Sequence, residues 1–404
     1  MQNSEPISGR LGNVGGLELA NTEIAFARLS DRQLLQAFWL FKMIGNPLLV
    51  RFGPKLASFS LRLHLPVRSL IKKTIFGQFC GGESIEECRP RIQELAGHGI
   101  GSILDYACEA VSSEQVFDRV VEETKRNIDL AARDEKLPFA VFKPTGIARF
   151  ALLEKKDRRL ELTDDEKVEF QRVENRFEDL ASYAQQKGVR LLIDAEETWI
   201  QDSIDQIVRQ LMRRVNQDAP IIYNTFQMYR RDRLDYLKQC YGDASAHNYH
   251  LGVKLVRGAY LEKETARAKA FSYRNPLHAS KEATDQDFNL ALRYCLEHRR
   301  RIALCAGTHN ERSTKLLTQL MKEFGAEKND PNVYFSQLLG MSDHLSFNLA
   351  HEDYRVCKYV PYGPLEDLLP YLSRRAEENS SIKGQTSREL SLIVEELQRR
   401  RLRQ

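Results

Sequence analysis

Residues 84–145 read SIEECRPRIQELAGHGIGSILDYACEAVSSEQVFDRVVEETKRNIDLAARDEKLPFAVFKPT. Two stretches, SIEECRPRIQELAGHG and SEQVFDRVVEETKRNIDLAARDEK, carry helical patterning. SILDYAC and FAVFKPT are short apolar runs rich in strand formers. Strands that alternate with amphipathic helices imply a parallel sheet with crossover helices. Working outward, similar runs occur at TIFGQFC (74–80), RLLIDAEE (190–197), IIYNTFQMY (221–229), LGVKLVRGAY (251–260), RIALCAGTHN (301–310) and VYFSQLLGM (333–341). With the first two they make eight. Eight repeats favour a closed α/β barrel over an open doubly wound sheet. Thr163 and Glu166 form a capping-box pattern, so a long helix starts there. The expected domains are a helical extension over 1–73, a (βα)8 barrel over 74–385 and a basic amphipathic helix over 386–404.

The chain has 404 residues, 42% hydrophobic and 29% charged, with a net charge of +4. This is an ordinary globular composition, and the charge is too small to argue for nucleic acid. Seven cysteines form no CxxC pair, and several lie in apolar runs. They read as buried thiols of a reducing compartment. The N-terminus MQNSEPISGR lacks the pattern of a secretory signal. The apolar stretch Leu34–Val50 is interrupted by Lys42, Asn46 and Pro47, which leaves it short of a membrane span. It reads as a helical hairpin packed on the main domain. The terminal QRRRLRQ is a basic cluster that could touch anionic lipid.

Polar residues gather where the apolar runs end: Asp105, Lys143, Asp194, Gln227, Arg257, Thr308 and Asn310. Loops are polar anyway, so one such residue means little; the recurrence at seven positions points to a site at the strand C-termini. A second cluster follows Pro364. Tyr371, Arg374, Arg375 and Glu378 lie three or four apart, so a helix would present them as one stripe. Two guanidinium forks match a carboxylate, and a neighbouring Glu can receive an amine. The stripe therefore suits a small amino acid, although solvated helices also carry such faces.

Other chemistries find less support. There is no Walker loop, and Gly97–Gly101 precedes a strand, which marks an αβ turn. His247 and His250 lack a third nearby ligand, so no metal is expected. Lys143 or Lys254 could form a Schiff base. Thr308, His309 and Asn310 could bond a ligand's phosphate or ribityl oxygens.

The ordered set FKPT, LLIDAEE, QMY, KLVRGAY, GTHNERS, SQLLGM and YVPYGPLEDLLPYLSRRAEENSS resembles the flavin-dependent proline dehydrogenases. FCGGES and the N-terminal extension resemble the stand-alone, mitochondrial-type branch. The resemblance implies a distorted (βα)8, TIM-like barrel with FAD at the strand C-terminal face. It implies oxidation of L-proline to 1-pyrroline-5-carboxylate, with electrons passed to a membrane quinone. Carried over, Arg374 and Arg375 would hold the proline carboxylate, with Lys143 assisting, and Glu378 would face the ring amine. Tyr359, Tyr260, Tyr371 and Leu338 would wall the ring, and Asp194 would order the base of the site. Flavin contacts would fall on Gln227, Lys254, Val256, Gly258, Ala259, Thr308, His309 and Asn310. Lys254 stands where bifunctional members carry Arg, and Leu261 replaces an aromatic residue. Tyr359 would leave little room for a ring hydroxyl, favouring proline over hydroxyproline. The implied location is cytoplasmic or peripheral on the inner face of the inner membrane, the matrix side in a eukaryote. The alternatives are a flavin barrel of the methylenetetrahydrofolate reductase type, a Schiff-base aldolase and a catalytically silent membrane adaptor.

Overall fold

Parallel strands need neighbours on both sides, and a closed barrel supplies them without an edge. The computed structural model describes residues 17–45, 68–107, 113–381 and 385–402. Its eight strands close in sequence order. They are β1 Ile100–Tyr106, β2 Phe139–Phe142, β3 Arg190–Ile193, β4 Ile222–Gln227, β5 Leu251–Val256, β6 Ile302–Gly307, β7 Val333–Leu338 and β8 Val356–Tyr362. The closing pair runs from Ile100 opposite Val356 to Tyr106 opposite Tyr362.

Before the barrel come α1 Thr22–Phe26, α2 Asp31–Ile44 and α3 Ile85–Ala96. The crossovers are α4 Glu114–Ala131, α5 Phe150–Asp157, α6 Asp164–Lys187, α7 Thr198–Val215, α8 Arg233–Ala246, α9 Leu261–Ala270, α10 Lys281–Glu297, α11 Glu311–Glu323 and α12 Asp343–His351. After the barrel come α13 Leu365–Ser381 and α14 Gln385–Leu402. The long α6 starts at the expected capping box, where Thr163 accepts from the Glu166 amide and Glu166 accepts from the Thr163 amide.

Strand alternation sorts the barrel residues. Ile103, Phe139, Val141, Leu192, Tyr223, Cys305, Tyr334, Cys357 and Tyr359 plug the lumen. The opposite faces pack against the helical shell. A separate apolar cluster joins the chain ends to one rim. Phe26, Leu34 and Phe41 of the N-terminal helices meet Leu392 and Ile393 of α14 there, with Phe79, Met341, Leu368 and Tyr371.

One strand expectation needs correction, and one strand had no expectation. TIFGQFC is helical: Lys72–Phe76 forms a π-helical turn and Gly77–Phe79 a short α-turn. Phe76 is buried with Phe79 and Cys80, three and four residues on, which is helical spacing. The eighth strand is VCKYVPY, which Lys358 and Pro361 disguise, since a charge and a proline both argue against a central strand. Lys358 is fully buried on the outer face, where Asp343 meets it at 2.8 Å.

The six described cysteines are free and buried; Cys108 lies outside the described residues. Gly97 to Gly99 forms the αβ turn expected there, with Gly99 at φ 72°. The basic C-terminus is partly engaged internally. Arg399 and Arg400 both pair with buried Glu396, and Arg400 also bonds Asp31 and the Phe26 carbonyl.

Candidate active site

A residue two positions beyond a lumen residue points the same way, one layer higher. Ile103, Val141 and Leu192 fill the lumen, so Asp105, Lys143 and Asp194 follow them at its C-terminal mouth. Lys254 of β5 and Tyr359 of β8 complete the layer. These five groups meet directly. Lys143 Nζ pairs with Asp105 at 2.5 Å, and Lys254 Nζ pairs with Asp194 at 2.5 Å. Tyr359 donates its hydroxyl to the second Asp194 oxygen at 2.7 Å, and Lys254 Nζ lies 4.6 Å from its ring centroid.

The electrostatics follow from this arrangement. Burial alone would raise the Asp194 carboxyl; Lys254 and Lys143 outweigh it and hold the acid below its usual range. Burial, reinforced by Asp105 and Asp194, lifts the Tyr359 phenol well above its ordinary value. The mouth thus sets an ionised Asp194 carboxylate against a neutral Tyr359 phenol.

Surrounding loops are tied by side chains to backbone. Buried Glu196 accepts from the Thr145 amide and hydroxyl at 2.8 and 2.5 Å, which joins the turns after β2 and β3. Gln227 donates to the Glu196 carbonyl at 2.7 Å and accepts from the Ala259 amide at 3.3 Å. Gly258 sits at φ 129°, and a Cβ there would lie 2.5 Å from the Tyr229 ring. Only glycine lets the β5–α9 loop pass so close. Val256 ends β5, and its carbonyl accepts from Met228.

Thr308, His309 and Asn310 connect β6 to α11. Asn310 caps that helix by accepting from the Ser313 amide. Arg257 bonds the Thr308 hydroxyl, Ser313 and Asp285. Burial, helped by Lys358, Arg375 and Arg257, pushes His309 down to about 3, so the imidazole is neutral. A helix N-terminus among fixed cations suits an anionic group.

Helix α13 lies along the rim, with Leu368, Tyr371 and Leu372 buried in the cluster that reaches Met341 and Leu338. Arg375 is buried and its guanidinium lies 5.1 Å from the Tyr371 ring centroid; Arg374 is half-buried. Glu378 belongs to α13, but its side chain lies outside the described residues. Leu338 packs beside Tyr359, and Tyr260 is buried at the start of α9. Lys143, Asp194, Lys254 and Tyr359 therefore form one network, and Thr308–Asn310 with Arg375 form a second group beside it. Sequence reasoning missed Glu196, Ser342 and Glu389. An acid two residues after Asp194 was the available signal for the first; the other two carried none. No group of metal-ligating side chains occurs among the described residues.

The proline dehydrogenase family model matches residues 88–388. Proline dehydrogenase 1, mitochondrial, of Dictyostelium discoideum is 34% identical over 94% of this chain and 74% of its own. Hydroxyproline dehydrogenase of Xenopus laevis is 30% identical over 93% of this chain and 88% of its own. Among solved structures, proline utilization A from Bdellovibrio bacteriovorus, inactivated by N-propargylglycine, superposes with a TM-score of 0.69 at 19% identity. The match covers 90% of this chain and 38% of that one, and it supports the fold.

Proposed function

The chain belongs to the proline dehydrogenase family, and from that premise we propose that it oxidises L-proline to 1-pyrroline-5-carboxylate with bound FAD as acceptor. The family is flavin-dependent; the dinucleotide form is our assignment. The residues present fit such a group. Gly258 keeps the β5–α9 loop free of a side chain beside Gln227, and Arg257 bonds Thr308 and Ser313 at the α11 N-terminus. Gln227, Lys254, Val256, Gly258, Ala259, Thr308, His309 and Asn310 would hold it. When bound, the flavin supplies a hydride acceptor.

The chain's own groups bind, orient and neutralise. Arg374 and Arg375 would grip the carboxylate, with Lys143, held by Asp105, assisting. Glu378 would face the ring amine. The carbon beside nitrogen loses its hydrogen with both electrons, the amine loses a proton, and a C=N bond forms. The amine must therefore be neutral at transfer, and fixed cations on the carboxylate set its geometry. Tyr260, Tyr359, Tyr371 and Leu338 would wall the ring and exclude water. The observation that carries this reading is the Lys254–Asp194–Tyr359 linkage at the lumen mouth. Its tethered phenol also leaves Tyr359 little freedom to admit a ring hydroxyl, so proline is the favoured substrate.

Onward electrons go to a membrane quinone, with the protein peripheral on the inner face of the inner membrane, the matrix side in a mitochondrion. No described helix is long and apolar enough to cross a membrane. The test is a visible spectrum followed by anaerobic L-proline. A yellow protein that bleaches with proline faster than with trans-4-hydroxyproline is expected. A colourless protein, or equal bleaching by both, would count against the cofactor or the specificity respectively. Flotation with quinone-loaded vesicles tests the membrane contact.

A further inference from the structure

The Thr308–Asn310 segment is held from behind by groups with no part in the reaction proposed above. Gln337 donates to the Thr308 carbonyl at 3.1 Å, and Ser346 donates to Gln337 at 2.8 Å. His309 Nδ1 lies 3.0 Å from Ser342 Oγ. Ser342 sits at φ 51°, ψ 43°, a left-handed conformation that residues with a Cβ avoid. Its neighbours keep it there. The Ser342 amide donates to the buried carboxylate of Glu389 on α14. Lys358 donates to the Met341 carbonyl at 2.6 Å and pairs with one Asp343 oxygen at 2.8 Å. Arg28 takes the other Asp343 oxygen at 2.7 Å.

We propose that Glu389 and Ser342 are positioning residues for His309: α14 braces the Ser342 turn, and the Ser342 hydroxyl fixes which imidazole nitrogen carries the proton. The inference rests on the flavin reading. Hydrogen directions give it content. Glu389 accepts from the Ser342 amide, and the Ser342 hydroxyl acts as a further donor toward the same carboxylate. With its proton turned to Glu389, Oγ offers His309 only lone pairs. Nδ1 therefore carries the imidazole proton, and Nε2 is left as an acceptor. Because the ring is neutral, the brace sets the tautomer rather than the charge.

The test is the imidazole nitrogen NMR spectrum of cofactor-loaded, isotope-labelled enzyme, with the His309 signals assigned by His309→Gln. It is recorded at about pH 8.5, above the value of about 7 to which burial and Asp343 lift Glu389. The wild type is expected to carry its proton on Nδ1. Glu389→Gln should move it toward Nε2, and Ser342→Ala should mix the tautomers. Both should release flavin about tenfold faster, with the KM for proline unchanged. A wild-type proton on Nε2, or the wild-type tautomer and release rate in both variants, overturns the proposal. If Glu389→Gln does not fold, the wild type and Ser342→Ala decide the matter. A colourless protein with the proton on Nδ1 would uphold the brace and sink only the flavin reading.

Discussion

Two buried lysines on barrel strands show how one residue type is used in two regions. Lys254 faces the lumen and pairs with Asp194 at the mouth. Lys358 faces outward, fully buried, and pairs with Asp343 beneath the collar made by the chain ends. The mouth network draws on residues placed by strand alternation, and its groups face the ligand space. The collar network joins Asp343 and Lys358 of the barrel to Arg28 and Glu389 from the helical segments before and after it. Buried ion pairs resemble one another in geometry. Whether they serve chemistry or cohesion depends on which side of the sheet they occupy.

Breaking one pair in each region sharpens that contrast. The largest stability effect is expected from Asp343→Ala. It strands the buried Lys358 ammonium and leaves the largely buried Arg28 guanidinium with Glu94 alone, and removal of one partner from such a pair costs about 3–5 kcal/mol. Thermal melting should fall by many degrees while the KM of the surviving fold stays near wild type. A melting point unchanged by this substitution would contradict the cohesive role. Arg374→Met and Arg375→Met should do the reverse. Loss of a charge-assisted contact of ~1.5–3 kcal/mol would raise KM roughly 10- to 100-fold, with flavin content nearly intact. Steady-state kinetics beside the visible spectrum measures both. Unchanged proline affinity in both variants would remove the carboxylate clamp.

A smaller effect is expected from Tyr359→Phe. It removes the hydroxyl donated to Asp194, worth about 1 kcal/mol, so turnover should drop several-fold with little change in melting. The variant also frees the ring from its tether, so its preference for proline over hydroxyproline should narrow. Competition between the two substrates reads this directly.

The smallest expected signal is a pH slope. Burial, then Asp343, lift the Glu389 carboxyl to about 7, so the folded state keeps this proton to higher pH than the unfolded chain. The associated stability is fully present below the ordinary Glu range and is lost as pH rises toward about 7. Asp343, Lys358 and Arg28 share the environment, and Asp343 is depressed, which gives the opposite slope at low pH. The measurement is therefore the difference in melting between wild type and Glu389→Gln from about pH 5 to 8. A difference that does not vary with pH would deny the raised value.

The mouth was legible because strand alternation is local. Asp105, Lys143 and Asp194 could be placed on one face by counting two residues from an apolar neighbour. Their direct pairing with Lys254 and Tyr359 was not legible, since register between distant strands is absent from a single sequence. TIFGQFC misled because a short apolar run fits a strand or a buried helix equally, and its Phe76–Phe79 spacing was the overlooked clue. VCKYVPY misled in the other direction: a lysine within a strand looks solvent-bound until Asp343 is seen beside it. The Ser342–Glu389 contact had no precursor pattern, because a backbone amide is the donor and every residue has one.

The collar has a consequence for how the protein is made. Glu389 and Arg400 leave the ribosome after all eight strands, yet they grip a turn behind the barrel mouth and the carbonyl of Phe26. A nascent chain halted after β8 would lack this brace, so the finished site awaits α14.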